Sequence, residues 1–195
     1  MKLLIILLSF ISGSFLFLST NEVEKPDIIS KEEWGGKALT GEIEKHEITH
    51  ITIHHAGVEF LEDKNPYEYM RNLQTFSQID KKWIDIPYHF TIDLEGKIFE
   101  NRPLEYPGDT NTEYDPTGHA LINVVGNYEI QKIKPVQIDA IVHLSAWIAS
   151  EYEIPVDSIA SHKDYSAQTV CPGKDLYKYF EDGTIKKEIE TLLRD

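Results

Sequence analysis

Short segments rich in β-branched residues alternate along this chain with segments of helical periodicity, and this alternation restricts the fold more than any other feature. Side chains alternate between the two faces of a strand, whereas a helix repeats every 3.6 residues. Strand character is found over residues 48–55, 88–93, 97–101 and 121–125, and helical character follows Asn65, Pro135 and Gly183. Strands interspersed with amphipathic helices predict a single α/β domain, with one central mixed β-sheet flanked by those helices.

Local signals place some of these boundaries. Asn65, Pro66 and Glu68 have the order of an N-cap, a first helical position and a third position. Leu94-Glu95-Gly96 separates two strand segments and predicts a hairpin turn. The longest segment without periodicity is residues 104–118. A connection of this length in a compact domain is usually functional or mobile.

The N-terminus differs from the rest of the chain. Lys2 precedes a nearly continuous apolar run over residues 3–18, which is typical of a secretory signal peptide and short for a membrane span of about 20 residues. We therefore expect residues 1–20 to be a signal peptide or an uncleaved N-terminal anchor, residues 21–27 to be a linker and residues 28–195 to be the functional domain. The protein is then exported to the periplasm or the exterior of the cell.

The charge balance restricts the partners. The chain has 33 acidic and 19 basic residues, which gives a formal net charge of −14 at pH 7. Nucleic acids and anionic surfaces attract basic patches. We therefore expect no nucleic-acid partner and, beyond the possible N-terminal anchor, no membrane partner. We expect the domain to act as a monomer.

A candidate metal site involves the single cysteine, Cys171. It lies nine positions after His162 in the stretch SHKDYSAQTVCPG, which has neither helical nor strand periodicity, so a loop is expected to bring the two side chains together. Imidazole and thiolate are ligands that zinc prefers. A third ligand is available at the end of the first strand, where His54 shares the polar face and His55 the apolar face. From the residues alone, unrelated histidines and an inert buried thiol remain the alternative.

The motifs around these residues resemble those of a known family. IISKEEWGG, ITIHHAG, WIDIPYHFTIDLEGKIFENRP, GHALINVVGNYE and SHKDYSAQTVCPG occur in this order over residues 28–177. They are similar to motifs of the zinc-dependent N-acetylmuramoyl-L-alanine amidases, a family that includes amidase-type phage lysozymes and peptidoglycan recognition proteins. The resemblance implies a zinc amidase domain over residues 28–195, with one Zn²⁺ held by His54, His162 and Cys171. It implies hydrolysis of the amide bond between N-acetylmuramic acid and L-alanine in peptidoglycan.

The same resemblance implies further site residues. The catalytic tyrosine of the family falls on Tyr88, and Thr169 stands where phage members have a lysine. Both hydroxyls are expected to stabilise the oxyanion or to help move the proton to the leaving amine. A core position is the alternative for Tyr88, because it alternates with apolar residues. Arg102 and Asn127 are candidates for binding peptidoglycan or muropeptides; a surface ion pair is the alternative for Arg102. Residues 104–118 lack the Ala-His-x-x-x-x-Asn pattern of the recognition proteins, so substrate contacts are not carried over to them.

Two other functions compete with the amidase. A non-catalytic peptidoglycan receptor on the same fold typically lacks the cysteine ligand, so the presence of Cys171 and Tyr88 disfavours it. A thiol hydrolase would use Cys171 as nucleophile and His162 as base. Such a thiol gains from an adjacent helix N-terminus, and Pro172-Gly173 does not predict one.

Overall fold

A computed structural model describes residues 23–194, which form a six-stranded sheet and five α-helices. The strands are β1 (Ile28–Ile29), β2 (His50–His55), β3 (Phe90–Ile92), β4 (Ile98–Glu100), β5 (His119–Val124) and β6 (Ile159–Ser161). The helices are α1 (Pro66–Ile79), α2 (Pro135–Glu151), α3 (His162–Tyr165), α4 (Lys174–Glu181) and α5 (Thr184–Leu192), and a 3₁₀ turn covers Val156–Ser158. The predicted signal peptide, residues 1–20, lies outside the described residues. Across residues 23–194, every helix is too short or too polar to span a membrane.

The sheet has the order β1-β4-β3-β5-β2-β6. β3 and β4 pair antiparallel, and the other four pairings are parallel. The predicted mixed sheet in an α/β domain is therefore confirmed. β2 lies between β5 and β6, and Ile53 pairs with Ile122 on one side and with Ser161 on the other. This register places the ends of β2 and β6 side by side.

The two faces of the sheet bury different side chains. On one face, Ile51 and Ile53 of β2 belong to the main core with residues of α2 and α5, such as Ile141 and Ile185. A smaller core contains Phe99 of β4, Met70 of α1, Trp34 and Ile86. Burial of this much aliphatic and aromatic surface is the main stabilising term of such a fold. His50, Thr52 and His54 of β2 alternate with the aliphatic residues of that strand and point to the opposite face.

The predicted N-cap of α1 and the predicted hairpin turn are both present. The Asn65 side chain accepts hydrogen bonds from the N–H groups of Tyr67 and Glu68, so it caps α1. The hairpin between β3 and β4 closes through Asp93, whose carboxylate accepts from the N–H groups of Glu95 and Lys97. These contacts satisfy backbone donors that the helix or the ladder leaves unpaired.

The stretch after residue 158 is more regular than its sequence predicts. Residues 161–173 were expected to be a loop, whereas they contain the last residue of β6 and the one-turn helix α3, and helix α4 begins directly after Gly173. A capping box explains α3: the Asp164 carboxylate accepts from the N–H and hydroxyl of Ser161. Asp164 also accepts from the Tyr177 hydroxyl. The expectation that no helix begins after Pro172 was wrong.

The last residues of the predicted linker contact the domain. Val23 packs against the main core, and the Lys25 ammonium lies 5.0 Å from the centre of the Trp147 ring. β1 begins at Ile28 and pairs parallel with β4. Val23 and Lys25, which precede β1, thus contact the folded domain.

Candidate metal centre

One nitrogen of His54, one nitrogen of His162 and the sulfur of Cys171 lie within 4.8 Å of one another. All three residues are buried. The His54 Nδ1 atom is 3.7 Å from the Cys171 Sγ atom, and the two imidazole rings have their centres 4.5 Å apart. Three donors at this separation surround a space of the size that one metal ion requires.

The sheet brings the two histidines together. Ile53 of β2 pairs with Ser161 of β6, so the residues that follow, His54 and His162, are neighbours at the same edge. Strand alternation directs His54 towards the cluster, while His55 points to the other face, where its Nδ1 atom accepts from the Tyr128 N–H at 3.2 Å. His54 therefore lies on the polar face of β2, as strand alternation predicts.

Backbone contacts fix Cys171. Its carbonyl accepts from the Lys163 N–H at 2.8 Å, next to His162, and its Sγ atom accepts from the His55 N–H at 3.2 Å. Gly173 follows with φ of +86°, and a Cβ atom there would lie 2.6 Å from the carbonyl carbon of Tyr128. The cysteine segment is thus held close against both the strand and the helix that carry the histidines.

The protonation states suit a metal. Burial lowers the pKa of His54 well below its ordinary value, with further lowering by neighbouring histidines. Burial also lowers the pKa of His162. Neutral imidazole is the form that binds metals. Burial raises the pKa of the Cys171 thiol to about 12, against a smaller opposing effect of the His55 N–H. Without a cation this thiol stays protonated. Two imidazoles and one sulfur together form a donor set that fits zinc.

A cleft of about 360 Å³ opens beside the cluster. Tyr88 and Thr169 line it, and the centre of the Tyr88 ring is 5.2 Å from that of His54. Burial raises the pKa of Tyr88 far above its ordinary value, so its hydroxyl stays protonated and can donate a hydrogen bond. The Thr169 hydroxyl accepts from the Cys171 N–H at 3.0 Å, which leaves its own proton available. Both residues predicted to be catalytic therefore line the cleft that contains the metal cluster.

Residues 104–118, which we call the site loop, contribute residues 109–112 to the lining of this cleft. Within it, the Thr112 hydroxyl lies 2.7 Å from the His162 Nε2 atom, and the Tyr114 hydroxyl lies 3.3 Å from the His54 Nε2 atom. The sequence analysis did not identify these two residues. Their only signal was the unusual length of the irregular segment that contains them.

The two residues predicted to bind substrate, Arg102 and Asn127, form hydrogen bonds with other residues of the protein. Arg102 is 1% exposed, and its guanidinium donates to three backbone carbonyls and to the Asp109 carboxylate. The Asn127 side chain accepts from the Glu129 N–H at 3.1 Å and so closes a turn. The cleft beside the metal cluster is lined by other residues. The contacts of Arg102 within the protein favour a structural function over the predicted contact with a substrate carboxylate. Its ion-pair partner, Asp109, is partly buried, with 31% of its side chain exposed.

In this α/β domain, two buried imidazoles and one thiol form a metal-ligand donor set beside a cleft that is open to a ligand. The chain belongs to the N-acetylmuramoyl-L-alanine amidase family, whose model matches residues 44–174. The resemblance seen in the motifs is thereby confirmed.

Similar proteins come from insects and bacteria. Peptidoglycan-recognition protein SD of Drosophila simulans is 28% identical over 156 residues, which cover 77% of this chain and 82% of that protein. The crystal structure of Drosophila peptidoglycan recognition protein SD superposes with a TM-score of 0.72 at 26% identity, over 80% of this chain and 94% of that one. The endolysin amidase LysCS of Clostridium intestinale shares the fold, with a TM-score of 0.63 at 24% identity over 78% of this chain and 91% of that one.

Proposed function

We propose that this protein is a zinc-dependent amidase that hydrolyses the bond between N-acetylmuramic acid and L-alanine in peptidoglycan. The observation that carries this proposal is the placement of Tyr88 and Thr169 on the cleft that contains His54, His162 and Cys171. Peptidoglycan or muropeptides are the proposed substrates, in agreement with the names of the relatives. The proposal includes export to the periplasm or the cell exterior and action as a monomer.

His54, His162 and Cys171 would hold one zinc ion. When bound, zinc supplies Lewis-acid chemistry and lowers the pKa of a coordinated water. The burial of the three ligands keeps bulk water away from them, so electrostatic interactions within the cluster are strong. The protein residues supply the rest of the chemistry from the open side of the cleft.

Tyr88 would act on the lactyl carbonyl. Its protonated phenol would donate a hydrogen bond to the carbonyl oxygen as negative charge develops there. Burial raises the pKa of this tyrosine far above its ordinary value. In the metal-free protein Tyr88 is therefore better suited to donating a hydrogen bond than to transferring its proton to the leaving amine.

Thr169 would act from the cysteine side of the cleft. Its hydroxyl oxygen is oriented by the Cys171 N–H at 3.0 Å, so its proton is free to reach the substrate. A threonine donates a hydrogen bond but no positive charge, so stabilisation of the oxyanion would depend mainly on the metal and Tyr88. The half-buried position of Thr169 leaves it accessible to a ligand in the cleft.

A purified muropeptide distinguishes the three functions. Mass spectrometry of the products should show release of the peptide with a free L-alanine amino group, loss of this activity with a chelator and recovery with Zn²⁺. Muropeptide binding without any cleavage by the zinc-loaded protein would indicate a receptor, a function that the recognition-protein relatives favour. Cleavage that resists the chelator and stops with an alkylating agent would indicate a thiol hydrolase. The raised pKa of Cys171 disfavours the last outcome.

A further inference from the structure

Each histidine of the metal cluster has a hydroxyl of the site loop at its outer nitrogen. The Nδ1 atom of His54 is the one near the Cys171 sulfur, at 3.7 Å, and its Nε2 atom faces the Tyr114 hydroxyl at 3.3 Å. The Thr112 hydroxyl lies 2.7 Å from Nε2 of His162, which leaves Nδ1 of that ring available to a metal. The two histidines come from different elements, yet one loop reaches both.

We propose that Thr112 and Tyr114 are positioning residues of the metal centre, whose hydroxyls fix the tautomer and orientation of His162 and His54 so that Nδ1 of each faces the ion. This inference rests on the proposed zinc site and adds the loop residues that prepare it. Hydrogen bonds to the outer nitrogen of a ligand histidine commonly hold its ring and increase its basicity.

The hydrogen bonds around Thr112 accommodate the tautomer of His162 that a metal ligand requires. Its hydroxyl oxygen lies 2.9 Å from the Thr110 hydroxyl oxygen, and its N–H donates to the same atom at 3.1 Å. All contacts are satisfied when Nε2–H of His162 donates to Thr112 and the Thr112 hydroxyl donates to Thr110. The Nδ1 atom of His162 then carries the lone pair that a metal ligand requires.

Aromatic neighbours hold Tyr114 in place. The centre of its ring is 5.0 Å from that of His162, 5.5 Å from that of His119 and 5.9 Å from that of Tyr165. A ring enclosed on several sides has little freedom to swing. Its hydroxyl is therefore kept near Nε2 of His54, where it can accept the N–H of that ring.

The site loop is attached to the rest of the domain at both sides of these residues. Asp109 pairs with the buried guanidinium of Arg102, and the Glu113 carboxylate accepts from the Ser166 hydroxyl at 2.6 Å. Ser166 is the C-cap residue of α3, the helix that begins with His162. The loop and the ligand-bearing helix are thus linked directly, which gives the loop a fixed position relative to the cluster.

Zinc affinity of the full chain tests the proposal without reference to catalysis. The dissociation constant is measured by competition with a chromophoric chelator for wild type, Thr112→Val and Tyr114→Phe, each of which removes one hydroxyl and little volume. We expect each variant to bind zinc about 10–100-fold more weakly. Thr117→Val and Tyr152→Phe change the same residue types at exposed positions, and we expect both to retain the wild-type affinity.

Two further measurements separate positioning from a general structural effect. Thr112→Ser keeps the hydroxyl and should restore zinc affinity, while the unfolding temperatures of the metal-free Thr112→Val and Thr112→Ser proteins should agree. Long-range ¹H–¹⁵N spectra of metal-free wild type should show the Nε2–H tautomer for His54 and His162, and a mixed tautomer in the variant that lacks the corresponding hydroxyl.

The two proposals fail in different ways. Wild-type zinc affinity in both Thr112→Val and Tyr114→Phe would overturn the positioning function and leave the zinc site intact. If Tyr114→Phe also lowers the unfolding temperature of the metal-free protein, the Thr112→Val and Thr112→Ser pair decides the matter. A wild-type chain that binds no zinc would instead overturn the proposed function itself.

Discussion

Replacement of Arg102 by methionine tests whether this residue is structural. The side chain is 1% exposed and donates to the carbonyl oxygens of Asp85, Ile86 and Pro107 and to the Asp109 carboxylate. Methionine retains most of the volume and none of the donors. The change therefore isolates the hydrogen bonds from the packing.

The expected loss follows from the partners. Asp109 has 31% of its side chain exposed and can regain water, so most of the cost comes from the three carbonyls. A buried acceptor that loses its partner costs about 1–3 kcal/mol, and Arg102→Met leaves three such carbonyls without their donor. We expect the free energy of unfolding to fall by about 3–5 kcal/mol, a large part of the 5–15 kcal/mol typical of such domains.

Urea unfolding of the metal-free protein measures this loss. With a slope of about 2 kcal/mol per molar urea, the midpoint should fall by about 2 M. Lys45→Met is the control, because the Lys45–Glu105 ion pair is exposed and its loss should leave the midpoint almost unchanged. An unchanged midpoint in Arg102→Met, together with a raised KM for a muropeptide, would refute this reasoning and restore Arg102 as a substrate ligand.

Three further outcomes follow from the site and its surroundings. Tyr88→Phe should lower kcat by about 100-fold or more with zinc content retained, because an oxyanion donor is lost; unchanged turnover would remove Tyr88 from the mechanism. Burial opposes ionisation of Asp175, but Lys132, Lys178 and the Ile133 N–H outweigh it and lower its pKa from 3.8 to about 2. The stabilising effect of the Asp175 carboxylate is therefore present above about pH 4 and lost as the pH falls towards 2. Wild type should lose its stability advantage over Asp175→Asn in that range. A difference in urea midpoint that stays constant with pH would contradict this. Gly173→Ala should destabilise the protein and weaken zinc binding, since a Cβ atom would lie 2.6 Å from the Tyr128 carbonyl carbon at a positive φ; wild-type values of both would contradict it.

The features that could be predicted from the sequence depend on a regular period or on a local rule. Alternation along β2 separated His54 from His55, and the cap at Asn65 located the start of α1. The hairpin around residues 94–96 could also be predicted, because turn residues separate two strand segments. Each of these features depends on neighbours within a few positions of the sequence.

The remaining features depend on contacts between distant residues. Thr112 and Tyr114 lie in an irregular loop, and their proximity to His162 and His54 follows from sheet register and not from any pattern in their own segment. The partners of Arg102 are backbone carbonyls, which have no sequence signature. The capping box at Ser161 was visible in principle, but a single helical turn is too short to produce a periodic signal.

Metal content is the most direct test of the central claim. Elemental analysis of the purified protein, prepared with zinc available, compares wild type with Cys171→Ser and with His143→Ala, which changes an exposed histidine of α2. We expect about one zinc per chain in wild type and His143→Ala, and a large loss in Cys171→Ser. Absence of zinc from wild type, or equal zinc in wild type and Cys171→Ser, would contradict the proposal that His54, His162 and Cys171 form a catalytic zinc site.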